Sequence, residues 1–499
     1  MRYRNDPDGT RLPIKVDTTT NGEFSPRPLD AHNHAANAFA HRRASENARR
    51  VNLSRRDFLT STCGAASTLL AFNEVHAAFG KTGGVYEIPA AAALDPAVAA
   101  DAVGGNEFIF DIQGHHVNPL ERWRAPDRSL MQGLKFMPHG RCDYLDPDSE
   151  LGHLQCYTGQ AFVKEMFLDS DTDIAVLTFT PSTYENMPLT NDEAAATREL
   201  VDVLEGNNRL LLHGRVIPNL DGDLERMDEL VDKWNVSAWK TYTQASYDGK
   251  SGWWLDDEEF GAPLIERARK LGVNVICCHK GLPLPGMMMS KDNYQFGSCR
   301  DVGPAARQNP DMDFIVYHAG YEPGVKEGPF VPGENPSGID SLVQTVLDND
   351  LGSGSNAYAE LGSTWRYLMR DPDQAAHALG KLLKYVGEDN VVWGTDCIWY
   401  GSPQDQIQAF RSFQISEQFQ ARYGYPALTP AIRAKIFGLN ATRPYAIAAG
   451  EIVERIRNDA LFERRLAYRS APDPHFLTYG PKTRREFLQL RRLHGGDPR

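Results

Sequence analysis

Eight short apolar runs recur between residues 108 and 396, and several end on a side chain able to hold a metal or move a proton. They occupy 108–113, 174–180, 210–218, 236–242, 273–279, 314–318, 358–361 and 391–396. Most are continuously apolar rather than alternating, as expected of parallel strands covered on both faces. Helical patterns lie between them, for example at 191–205, 256–271 and 371–386. Strands alternating with helices predict βαβ units. Eight such units predict an α/β fold closed into a (β/α)8 TIM barrel, with an open doubly wound sheet as the alternative. No Gly-rich phosphate loop follows the first run, which favours the barrel. Barrel enzymes place their chemistry at the C-terminal ends of the strands. Those ends here carry Gln113 and His115, then His279, His318 and Asp396. Lys240 lies on the fourth run, and Glu360 closes the seventh.

The hydrophobic share of 41% suffices for a large core, and the net charge of −13 argues against a nucleic-acid partner. The seven cysteines include no CxxC pair. Adjacent Cys277 and Cys278 read as buried thiols, whereas Cys142, Cys156 and Cys299 leave a disulfide open. Two connections are long. Residues 117–170 follow the first strand and carry Trp123, Arg124, His139, Arg141 and Tyr144; residues 280–312 follow the fifth and carry Met287, Met288, Met289 and Tyr294. Both leave the catalytic end, where they could form a lid and substrate pocket, or a dimer contact or plain surface. Residues 447–499 read as an Arg-rich helical extension that wraps the barrel or joins a second subunit, a possible homodimer.

Residues 1–77 read as a leader with an export signal. Ser54-Arg55-Arg56-Asp57-Phe58-Leu59 matches a twin-arginine motif, an apolar stretch to Phe72 follows, and Val75-His76-Ala77 offers small residues for cleavage. The stretch is too short to span a bilayer, so no stable membrane anchor is expected. The translocase would be the partner in transit and the periplasm the destination. Residues 1–50 read as polar and loop-like, and translation could begin near Val51 or Leu53. Asp30-Ala31-His32-Asn33-His34 mimics a metal-hydrolase signature, but Pro26 and Pro28 forbid a central strand there, so it is assigned no function. A linker over 78–105 then leads to the barrel at 106–446.

The ordered set Asp111-Ile112-Gln113-Gly114-His115, His279-Lys280-Gly281, His318-Ala319-Gly320 and Trp393-Gly394-Thr395-Asp396 resembles the amidohydrolase superfamily. Within it, the likeness is to the amidohydrolase 2 branch related to aminocarboxymuconate semialdehyde decarboxylase. Gly438-Leu439-Asn440-Ala441-Thr442-Arg443 is similar to the family's closing helix. The resemblance implies a divalent metal such as zinc, with His115, His279 and Asp396 as ligands and His318 as an acid or electrophile beside them. It further implies a hydrolase that uses metal-activated water on a small amide, lactone or cyclic ester, with Asp396 moving the proton. A metal-dependent decarboxylase using the same residues is the first alternative, and a metal-free or non-catalytic ligand-binding barrel is the second. The sequence departs from the family at Gln113, where a first histidine is usual. Gln113 is then a weak ligand, or water takes its place, or His116 substitutes, although strand alternation points His116 away from His115. Lys240 could be carbamylated between two metals, bind a substrate carboxylate or pair with a core acid. Glu360 would face the pocket or make an ordinary ion pair.

Overall fold

The computed structural model describes residues 6, 8–118, 156–184, 187–204, 206, 208–245, 251–282 and 291–493. Parallel strands β2 (Phe110–Gly114), β3 (Ile174–Leu177), β4 (Leu210–Arg215), β5 (Ala238–Tyr242), β6 (Val275–His279), β7 (Asp313–Tyr317), β8 (Ala357–Glu360) and β9 (Val391–Val392) follow one another in an eight-stranded sheet. A shorter pair lies outside it, where β1 (Gly84–Tyr86) runs antiparallel to β10 (Phe413–Ile415). The long sheet closes on itself. Ile112 N donates to Trp393 O (3.1 Å), Asp396 N to Gln113 O (2.9 Å), and Gly114 bridges Cys397. This is the expected (β/α)8 barrel; each expected strand overlaps an observed one, although 174–180, 210–218 and 391–396 run three to four residues past the observed ends.

Strand parity explains which side chains enter the barrel. Phe108, Phe110 and Ile112, Ile174 and Val176, Val275 and Cys277, Ile315 and Tyr317, Tyr358 and Val392 form one buried cluster. Their alternating neighbours, among them Ile109, Ala175, Ile276, Phe314 and Ala359, join the larger cluster beneath the helices. Successive side chains of a strand point to opposite faces. Lys240 therefore follows Ala238 inward, His279 follows Cys277 and Glu360 follows Tyr358. The floor is sealed by Tyr445, Ile452 and Ile456 from the segment after the barrel. His213 takes part in that seal through Thr178 Oγ1 (2.9 Å) and Tyr445 OH (2.7 Å).

The N-terminal region departs from the expected loop-like leader. Helices α1 (Ala31–Arg50), α2 (Arg55–Leu59) and α3 (Thr62–Ala78) form a layer against the barrel. The buried stripe Ala36, Ala40, Ala44 and Ala48 on α1 lets the two longer helices approach closely, and Asn47 Nδ2 donates to Ser67 Oγ across them (2.9 Å). The twin-arginine motif is a capped turn in this fold: Ser54 accepts from Asp57 N and Ser61 caps α3. Arg56 is 1% exposed, donates to Pro474 O and stacks over Phe476 at 4.7 Å. Phe58 and Leu59 are fully buried, each contributing about 1.5–3 kcal/mol by leaving water. An Ala-, Ser- and Leu-rich stretch has the composition of a signal and of a close-packed helix alike, and only its tertiary contacts distinguish them. His32, in the mimic signature, sits in the first turn of α1 and hydrogen-bonds Arg370 O (3.1 Å).

The C-terminal extension wraps the barrel. Arg209, immediately before β4, holds Asp459 (2.7 Å), and Arg465 donates to Phe167 O (2.8 Å). His475 meets the buried Glu165 (2.9 Å). Cys277, Cys278 and Cys299 are buried free thiols, and Cys156 is disulfide-bonded. Trp123, Arg124, His139, Arg141, Cys142, Tyr144 and Met287–Met289 lie outside the described residues. No helix among the described residues is long and apolar enough to cross a membrane.

Candidate metal centre and active site

Two groups of polar side chains meet at the C-terminal mouth. In the first, His115 Nε2 lies 3.1 Å from Asp396 Oδ1, and Gln113 Nε2 donates to the same oxygen (3.2 Å). Ser363 Oγ donates to Asp396 Oδ2 and shares a hydrogen bond with Tyr400 OH (2.7 Å). In the second, His318 Nε2 faces His279 Nδ1 at 3.2 Å. The Glu23 carboxylate lies 3.6 Å from His279 Nδ1 and 3.9 Å from His318 Nε2. Asn21 ties the groups together, its Nδ2 donating to Asp396 Oδ2 (2.8 Å) and to Glu23.

The far nitrogens of the histidine pair fix its chemistry. His318 Nδ1 lies 2.7 Å from Gly362 O, and His279 Nε2 lies 3.3 Å from Leu282 O. A carbonyl only accepts, so each ring spends its one neutral-state N–H there. The facing nitrogens then both present lone pairs. Burial keeps both rings neutral: it brings His318 down to about 4, and burial together with His318 holds His279 well below its usual value. Two lone pairs 3.2 Å apart repel unless a cation lies between or beside them. Tetrahedral zinc with bonds of 2.0–2.1 Å sets neighbouring ligand nitrogens about 3.3–3.4 Å apart. The pair fits such an ion.

The carboxylates tell the same story. Burial and the charge of Asp396 push the Glu23 carboxyl well above its usual value. Burial opposes ionisation of Asp396 too, but the hydrogen bond from His115 counters it and lowers that carboxyl. Two adjacent buried carboxylates cannot both ionise cheaply without a cation. Lys240 is fully buried over the Tyr317 ring (3.6 Å), and its Nζ has no hydrogen-bond partner among the described residues. Burial brings its amine down to about 8. His115 Nδ1 likewise has no partner.

Of the expected ligands, His279 enters a three-donor cluster, and His318 joins it although it was expected beside the metal. The third donor is Glu23, and the three ligand atoms lie within 4.8 Å of one another. His115 and Asp396 pair with each other instead. Gln113 turns its amide nitrogen to Asp396, and its oxygen lies where a Cβ on Gly362 would come within 2.0 Å. Reversing the amide would set oxygen against carboxylate, so Gln113 donates to Asp396 here, and its Oε1 is buried with no hydrogen-bond partner among the described residues. His116 points away, to Thr197 Oγ1 (2.9 Å). Glu360 braces the site: it accepts from His318 N (3.0 Å) and Gly362 N, and burial pushes its carboxyl up to about 8. Positive φ values at His318 (67°), Ser363 (55°) and Asp396 (59°) mark backbone strain gathered at this mouth. The sequence reading missed Asn21, Glu23, Ser363 and Tyr400. Asn21-Gly22-Glu23 is a polar turn with no motif around it, and only folding brings it to the barrel.

The fold and site together define a closed eight-stranded α/β barrel with a buried histidine–carboxylate cluster, a candidate metal site, at its C-terminal mouth. Residues 224–447 match the amidohydrolase family model, a match that supports the amidohydrolase superfamily. Among solved structures, the chain is similar to 2,6-dihydroxybenzoate decarboxylase from Rhizobium, at 15% identity, 68% of this chain, 99% of that one and a TM-score of 0.40. It is also similar to dihydroorotase from Saccharomyces cerevisiae, at 11% identity, 70% and 86% coverage and a TM-score of 0.39. A third likeness is to A. niger ochratoxinase, at 9% identity, 68% and 71% coverage and a TM-score of 0.33. No curated protein matches the sequence.

Proposed function

We propose that this protein is a metal-dependent hydrolase of the amidohydrolase superfamily acting on a small amide, lactone or cyclic ester. The observation that carries the reading is the pair of lone-pair nitrogens, His279 Nδ1 and His318 Nε2, facing each other 3.2 Å apart beside buried carboxylates. These two histidines would hold the ion, and the carboxylates would balance its charge. A bound divalent ion supplies Lewis acidity and acidifies water. The remaining roles belong to the chain. Asp396, held ionised by His115, accepts the proton of the attacking water and returns it to the leaving atom. Gln113 and Ser363 fix the orientation of that carboxylate. Lys240, whose amine has no hydrogen-bond partner among the described residues, would stabilise negative charge on the substrate. Glu360 keeps His318 in place through its backbone N–H.

Product analysis in ¹⁸O-labelled water tests the reading, with metal content measured on the same sample. One labelled oxygen in the product and no CO₂ supports it. Release of CO₂ without incorporation would make the protein a decarboxylase. Activity that survives exhaustive chelation would remove the metal from the account.

Export by the twin-arginine route is a separate proposal. Residues 54–59 support it, as does the disulfide at Cys156, which suits an oxidising compartment. Cleavage after Ala77 would remove Asn21 and Glu23 from the mouth, so export with cleavage and a site that depends on the N-terminal residues exclude each other. N-terminal sequencing of the protein recovered from each compartment tests whether transit and cleavage occur.

A further inference from the structure

The strand that the superfamily pattern uses for two histidines offers Gln113 and His115 here, and neither reaches the histidine pair. What reaches it is a stretch of chain that precedes the barrel by more than eighty residues. We infer that Glu23, carried by an N-terminal strap over the barrel mouth, is a metal ligand of this protein and completes the site that His279 and His318 begin. The inference rests on the metal-dependent reading above.

The strap is built to hold that carboxylate in place. Asp17 accepts from Arg366 Nη2 (2.8 Å) and from Thr478 Oγ1 (2.6 Å). Tyr367 OH donates to Thr19 O (2.6 Å), Thr19 Oγ1 bonds Thr478 Oγ1 (2.8 Å), and Thr20 N donates to Pro481 O (3.0 Å). Phe24 packs edge-on against Tyr367, with ring centroids 5.1 Å apart. One side of the clamp is thus the helix after β8, and the other is the C-terminal tail. Between the anchors, Gly22 takes a φ of +90°, a conformation open to glycine, and turns the next residue down into the barrel. Glu23 N donates back to Asn21 Oδ1 (3.0 Å), which closes the turn.

Chemistry favours a ligand over a chance contact. A dication held by two imidazoles needs anionic partners, and among the described residues Glu23 is the carboxylate within 4 Å of both nitrogens. Its two oxygens divide between the pair, Oε1 at 3.6 Å from His279 Nδ1 and Oε2 at 3.9 Å from His318 Nε2, so a carboxylate oxygen faces each nitrogen. Asp396 sits behind Asn21, near enough to balance the second charge. Lys240 Nζ and His115 Nδ1 are buried and have no hydrogen-bond partner among the described residues.

The test is titration of the metal-stripped full chain with zinc and, separately, cobalt(II), whose visible spectrum reports coordination. The wild type is compared with Glu23→Gln and Glu23→His, and folding is checked by circular dichroism. The expected result is one ion per wild-type chain. Glu23→Gln should bind at least ~10–100-fold more weakly with an altered cobalt spectrum, since even groups that only orient ligands cost that much. Glu23→His, which restores a donor, should recover most of the affinity. If Glu23→Gln matches wild type in affinity and spectrum, the ligand role is overturned and the metal reading stands. Unchanged affinity with a raised kcat/KM would likewise overturn it, by making Glu23 a plug. If wild type binds no stoichiometric ion, the metal reading fails and takes this inference with it. Should Glu23→Gln not fold, Glu23→His decides: tight binding supports the role, and no binding overturns it.

Discussion

Asp396→Asn is the most searching perturbation of this mouth. The carboxylate is 1% exposed and receives four donors: His115 Nε2, Gln113 Nε2, Asn21 Nδ2 and Ser363 Oγ. An asparagine oxygen in the Oδ1 position keeps the first two bonds, each weakened by about 1 kcal/mol because the acceptor is no longer charged. The new NH2 in the Oδ2 position can donate to Ser363 Oγ, whose hydroxyl rotates. It cannot satisfy Asn21, which then sets N–H against N–H in a buried space at a cost of about 1–3 kcal/mol. One term has the opposite sign. Losing the Asp396 charge relieves Glu23, whose carboxyl that charge helps to push upward. The net expectation is a loss of about 2–4 kcal/mol in urea unfolding of the metal-free chain. Activity should fall about 10²–10⁴-fold in kcat/KM on the amide or lactone identified by product analysis, because the proton acceptor is gone. A variant within a few-fold of wild-type activity would refute the proton-transfer role. A variant more stable than wild type would show that carboxylate repulsion, not donor satisfaction, governs the site.

Lys240→Met keeps the packing over Tyr317 and removes the unpaired amine; kcat/KM should drop with anionic substrates more than with neutral ones, and equal losses would sink the charge argument. Arg209→Met breaks the buried pair with Asp459 that fastens the C-terminal extension to the start of β4, and should cost about 3–5 kcal/mol in denaturant unfolding. His76, buried and brought down to about 4 by burial and then His32, links stability to pH: the unfolded chain takes its proton near 6.5, so it binds more protons between those values. Stability should therefore fall as pH drops from about 6.5 to 4, by up to about 3 kcal/mol from this group, and His76→Gln should flatten that slope. A chain beginning at Ala78 should fold poorly and bind metal weakly, because it lacks the buried Arg56, Phe58 and Leu59 as well as Glu23; a soluble, metal-loaded product would overturn the structural role of the N-terminal layer.

The barrel was legible from residue order because its signal is local. Continuous apolar runs, their spacing and the helical patterns between them each follow from a few neighbouring side chains, and strand parity then carries Lys240, His279 and Glu360 inward. The positions of His279, His318 and Asp396 at strand ends were readable for the same reason. What the amino-acid order left open was decided by contacts across hundreds of residues. Glu23 reaches His279 only because Thr19, Thr20 and Asp17 are clamped by Tyr367, Arg366, Thr478 and the backbone near Pro481. Gln113 becomes a donor because Asp396 and Gly362 meet it from other strands. The stretch around Arg55 and Arg56 has a composition that serves a signal and a packed helix equally, and its packing against Pro474 and Phe476 is visible only in the tertiary structure. Local pattern sets the strands; the partners of a buried polar group are a property of the closed tertiary fold, since nothing in its own neighbourhood along the chain says which distant atom will satisfy it.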